Sequence, residues 1–134
     1  MAFLAGIGIA ATVGAFARVT GMDRDKAFYS TVLIVVGHYY ILFAAMIGSA
    51  VTVEALIFCL FAALAVVGFR FTMWFVAAGL ALHGLFDYVR HLFLAGHGAP
   101  VWWPDFCMGF DIAAAGVVAG TLIVQRRKPE EVLQ

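Results

Sequence analysis

The sequence predicts an all-α integral membrane bundle of five transmembrane helices, with the N-terminus outside and the C-terminus inside. Three observations predict it. Hydrophobic residues make up 65% of the 134 positions and charged residues only 12%, which is too apolar for the surface of a soluble domain. Apolar runs of about 20 residues, the length of one span, follow each other with short polar breaks. The basic residues then sort by side. With five spans laid out, Arg18, Arg24, Lys26, Arg70, Arg126, Arg127 and Lys128 share one side, and the two loops opposite carry neither Lys nor Arg. That is the positive-inside pattern. The chain reads as a single transmembrane domain, 1–134, ending in a short cytoplasmic tail, 126–134.

The spans are about 2–19, 27–48, 50–69, 71–95 and 104–125, with ends uncertain by a few residues. In the first, Ala15-Phe16-Ala17 imitates a signal-peptidase site, but no basic residue precedes the apolar run, so a retained helix is expected. The connection 20–26 offers Asp23 or Asp25 to cap the second helix. Tight turns are expected near 48–52 and 68–71. After the loop 96–103, Pro104 and Asp105 suit the first turn of the fifth helix, and Trp102 and Trp103 fall in the outer aromatic belt. Gly6, Ala10 and Gly14 in the first helix, and Gly116-x3-Gly120 in the fifth, are small-residue faces that allow close helix packing in a bundle or a dimer.

The chemistry gathers in 80–111. His83, Asp87 and His91 are spaced i, i+4, i+8 and drift only about 40° per step, so they share a helix face with Arg90 close beside it. Cys107 and Asp111 repeat the i, i+4 spacing on the next helix, while His38 lies in the second and Glu54 in the third. Counted from the outer ends at about 1.5 Å per residue, Glu54 and His91 are roughly 5 Å deep and Asp87 and Asp111 roughly 10 Å. His38 is then roughly 14 Å deep and His83 roughly 18 Å. An ionised group in hydrocarbon is unfavourable by several kcal/mol unless paired, hydrated or metal-bound. Their common depth predicts one polar pocket open to the outside.

Imidazole and carboxylate together suit a divalent transition metal: Zn, Fe, Cu or Mn. The expected ligands are His83, Asp87, His91 and Asp111, completed by His38 or Glu54, with Arg90 and Glu54 as catalytic candidates. Arg90 would hold substrate charge or orient Asp111. The predicted protein is a membrane-embedded metalloenzyme acting on a lipid or another membrane-soluble substrate. Two further readings use the same residues: a metal-free lipid isomerase, hydrolase or proton and ion pathway, and a non-catalytic subunit with a membrane-protein partner or a second copy. Structural roles compete at each position. Asp87 and Asp111 are both within reach of Arg90 as ion-pair partners, Cys107 suits packing, and His97 suits a solvated loop. Tyr39, Tyr40 and Tyr88 serve as interface anchors or pocket donors. A net charge of zero without a large basic block argues against nucleic acid. Cys59 and Cys107 are not expected to pair, and no nucleotide loop, nucleophile elbow or haem-attachment motif is present.

His83-Gly-Leu-Phe-Asp87-x3-His91, followed by Trp103-Pro104-x-Phe-Cys107 and Phe110-Asp111, resembles a pattern in small bacterial integral membrane proteins that have no assigned activity. The resemblance covers the last two spans and implies that these residues belong together; the location expected for the chain is the bacterial inner (cytoplasmic) membrane. Arg90 stands where such proteins place a second adjacent histidine, so a two-histidine claw is not carried over.

Overall fold

The structure, a computed structural model, describes residues 1–48, 51–93 and 98–131; the side chains at 91, 93 and 127–131 are outside the described residues. It has five helices: α1 Ala2–Thr20, α2 Lys26–Met46, α3 Val51–Arg70, α4 Trp74–Phe93 and α5 Trp103–Glu131, with a 3-10 turn at Met22–Arg24. No strand occurs among the described residues. Four helices, α1, α2, α3 and α5, are long and apolar enough to cross a membrane. The sequence of α4 is as long, but His83, Asp87, Arg90 and His91 dilute its apolar character.

α4 occupies the centre, with α3 and α2 on one flank and α5 on the other; α1 packs on α5. Cross-contacts set the directions. Residue 6 of α1 meets residues 106 and 110 of α5, and residue 14 meets residue 117, so these two helices run parallel. The approach is close because both carry glycine where they cross: a Cβ on Gly6 would strike the Phe106 carbonyl oxygen, and one on Gly109 the Phe3 carbonyl oxygen. Gly6, Ala10, Gly14 and Ala17 form the buried face of α1, as the small-residue spacing predicts. Their counterpart is Gly109, however. Gly116 and Gly120 have nothing near their Cβ positions and face outward.

The connections follow local chemistry. Asp25, rather than Asp23, caps α2 by accepting from the Ala27 amide at 2.8 Å, while Asp23 pairs with Arg18 at 3.1 Å. Gly48 (φ +66°) ends the second helix in the left-handed region that glycine tolerates. Gly68 is not a turn residue. It lies inside α3, where a Cβ would strike the Val76 side chain, and the chain turns later, at 71–73. α5 continues helically past 125 into the tail.

The arrangement of polarity is inverted relative to a soluble bundle. Val76, Leu80, His83, Asp87 and Arg90 of α4 face the core, while Phe75, Leu82, Leu85, Val89 and Leu92 are exposed. Leu33, Phe61, Ala65, Ala114 and Val118 close around the inner face. Polar groups inside and leucines outside are what a hydrocarbon solvent selects, because a buried charge can find a partner there and an exposed one cannot.

Candidate metal centre

The buried face of α4 carries its ionisable groups at successive turns, and neighbouring helices meet each level. At mid-helix, His83 Nδ1 stands 2.7 Å from Asp111 Oδ2 on α5 and 3.4 Å from Asp87 Oδ2, one turn along its own helix. His83 is 1% exposed, Asp87 and Asp111 0%. Gly84 lets α5 come this near, since its missing side chain leaves room for Asp111 and Ile112. The imidazole is held edge-on by Phe61 from α3 at 4.7 Å.

One turn further, Tyr40 of α2 donates from its hydroxyl to Asp87 Oδ1 at 2.6 Å. At the next level Arg90 makes a two-pronged ion pair with Glu54 of α3, at 3.0 and 2.6 Å, and its guanidinium lies over the Tyr40 ring at 4.2 Å. A ladder of polar contacts thus runs from mid-bundle towards the end that carries Gly48 and Gly98. Its two ends differ in completeness. Arg90 and Glu54 neutralise each other in matched fork geometry, whereas Asp87 Oδ2, with only the 3.4 Å approach of His83, and Asp111 Oδ1 are buried without a hydrogen-bond partner among the described residues.

His83, Asp87 and Asp111 each direct one ligand-type atom to a common point, all within 4.8 Å of one another, and this group could hold a metal ion. These are three of the six residues that the sequence offers as ligands. His38 is not with them: it is exposed, with its ring edge-on to Phe58 at 5.6 Å. The reason is helical phase, since two residues turn the side chain by about 200° and bring Tyr40 inward instead. The side chain of His91 lies outside the described residues, as does His97. Arg90 takes Glu54 as its partner, not Asp87 or Asp111, so neither residue of that pair is left to complete the ligand set. Cys107 is buried one turn from Asp111. All three residues of the trio are buried.

Tyr40 is the residue sequence reasoning left unresolved. Its signal was its place on the buried stripe of α2 with Leu33, Val36, Gly37 and Ala44, which separates it from Tyr39 on the neighbouring face and from the exposed Tyr88. Comparison with protein-family models, with curated proteins and with solved structures finds no match for this chain.

Proposed function

We propose that this chain is a five-span protein of the bacterial inner membrane, N-out and C-in, in which His83, Asp87 and Asp111 bind a divalent transition metal. The observation that carries the metal reading is the pair of carboxylate oxygens, Asp87 Oδ2 and Asp111 Oδ1, buried around one imidazole with no hydrogen-bond partner among the described residues. Two carboxylates and a neutral histidine balance a dication, whereas without it the ionised trio is a net charge in an apolar core. Tyr40, donating to Asp87, would orient that ligand from behind, the usual support for a metal-bound carboxylate. The donor set suits Zn, Fe, Cu or Mn. α4 would be the fifth span: it lies between two helices apolar enough to cross, and its polar groups turn inward.

A metal in this position would supply a Lewis acid inside the bilayer. The apolar exterior makes a lipid or another membrane-soluble molecule the fitting substrate class. One observation favours a metal-free alternative: His83 Nδ1 and Asp111 Oδ2 are already at 2.7 Å, hydrogen-bond distance. Two ligands of one tetrahedral ion lie roughly 3.3 Å apart at ordinary bond lengths, so binding must spread them. In that alternative the pair handles protons.

Elemental mass spectrometry on detergent-purified protein separates the two. Near-stoichiometric metal in the wild type, lost in His83→Ala and Asp87→Ala variants that still insert, is the expected result. Metal-free wild type prepared without chelator would refute the metal centre and leave the proton-handling pair.

A further inference from the structure

At the opposite end of the bundle from the metal-centre ladder lies a second polar feature, and nothing in the proposed function uses it. A cavity of about 230 Å³ is lined by Arg24 of the 3-10 turn, by Lys26 at the start of α2, by Thr72, and by Thr121 and Gln125 of α5. Tyr29 also lines it; the residue is 5% exposed and its hydroxyl is buried with no hydrogen-bond partner. A partnerless buried hydroxyl is unfavourable unless something fills the space beside it. Arg24 and Lys26 have no carboxylate partner among the described residues, because Asp23, the acid of this cavity, is engaged by Arg18. The chamber is therefore cationic, with an unfilled donor in its wall.

A second hollow of about 360 Å³ shares Tyr29, Asp23 and Thr121 with the first and runs out between α1 and α5, past Gly14, Val117 and Gly120. It is mainly apolar. The outward Gly120, idle in the packing of the bundle, leaves this slot open.

We infer that this end of the bundle binds a phospholipid, its phosphate seated between Arg24, Lys26 and the Tyr29 hydroxyl and one acyl chain lying in the slot between α1 and α5. The two hollows supply the two halves of such a ligand in the right order: cations at the level of the helix ends, apolar wall along the helices. Arg pairs with phosphate oxygens through two parallel N–H groups and Lys as a point charge, and a phenol adds one donor. The site stands on the membrane reading and is independent of the metal.

The test is native mass spectrometry of the full chain in mild detergent, titrated with phosphatidylglycerol and, separately, with diacylglycerol of the same chains. We expect saturable binding of one phosphatidylglycerol and none of diacylglycerol. Tyr29→Phe should weaken binding about tenfold, the ordinary effect of one hydrogen bond to a charged group. Because that hydroxyl has no partner among the described residues, the substitution leaves folding intact, and a diffuse attraction of basic residues for anionic lipid would not register it. The double variant Arg24→Gln/Lys26→Gln should abolish saturable binding. Equal lipid binding by wild type and Tyr29→Phe would overturn the site. Displacement of the lipid by millimolar inorganic phosphate, with phosphate then retained, would overturn the lipid as its ligand.

Discussion

Removing the Glu54 carboxylate should be among the most damaging single changes in this protein. Glu54 and Arg90 are 6% and 4% exposed, and both oxygens of the one meet nitrogens of the other at 2.6 and 3.0 Å. Glu54→Leu strands a guanidinium in a core lined by Phe86 and Tyr40. Breaking one side of a buried pair destabilises by about 3–5 kcal/mol, because the remaining charge is left without compensation. The cation–π contact with Tyr40 is present before and after the change, so it does not offset that loss. Arg90→Met added to Glu54→Leu removes the stranded charge and should recover most of the loss, since an apolar pair of similar volume is often neutral in such positions. The assay is reversible unfolding in mixed micelles, closed as a double-mutant cycle. A coupling energy of at least about 2 kcal/mol is expected. Losses that simply add, with the double variant worst, would refute the claim that the pair acts as a neutral unit.

The other predictions concern the metal centre and the helix crossing. Tyr40→Phe leaves Asp87 Oδ1 without its donor and should lower metal affinity by about 10- to 100-fold, read by chelator competition. His38→Ala should leave metal content at the wild-type level, because His38 faces away from the trio; loss of metal would reinstate it as a ligand. Gly6→Leu, which forces a side chain into the Phe106 backbone, should separate α1 from α5 and lower stability by at least about 3 kcal/mol. Gly116→Leu, in open space, should change micelle stability by less than about 1 kcal/mol. Equal sensitivity at the two glycines would contradict the parallel packing of α1 on α5.

The helices were legible in the sequence because apolar runs and their polar breaks are local properties. Among the described residues the helix ends lie within a few residues of the apolar runs, except that α5 runs on past 125; Gly68, expected in a turn, lies inside α3. Their helix partners were less legible. Both glycine pairs read alike in one dimension, and only the crossing shows that Gly6 needs Gly109 while Gly120 touches nothing. The site divides along the same line. His83 and Asp87 were readable as a pair from i, i+4 spacing within one helix, and Asp111 as a contributor from its own apolar surroundings. Partner choice between helices was not: Arg90 lies one turn from Asp87 in the chain, yet its fork is filled by a carboxylate 36 positions away. His38 and Tyr40 were separable only through the phase of α2, which depends on which face finds the core.

The central helix also bears on how such a chain is made. On insertion scales, Asp and Arg near a helix centre each oppose entry into the bilayer by about 2.5–3.5 kcal/mol, against a few tenths in favour for each leucine or phenylalanine. In the five-span reading proposed above, α4 leaving the ribosome alone would thus be a reluctant passenger of the translocon. Glu54 has already been synthesised when Arg90 emerges, so α3 can escort that charge into lipid. Asp87 has Tyr40 of α2 waiting for it as well. His83 must stay incomplete until some 28 further residues have delivered Asp111. If α4 is the fifth span, as proposed, integration would be sequential: α3 and α2 would admit the half of α4 that carries Asp87 and Arg90, and only the arrival of α5 would close its middle.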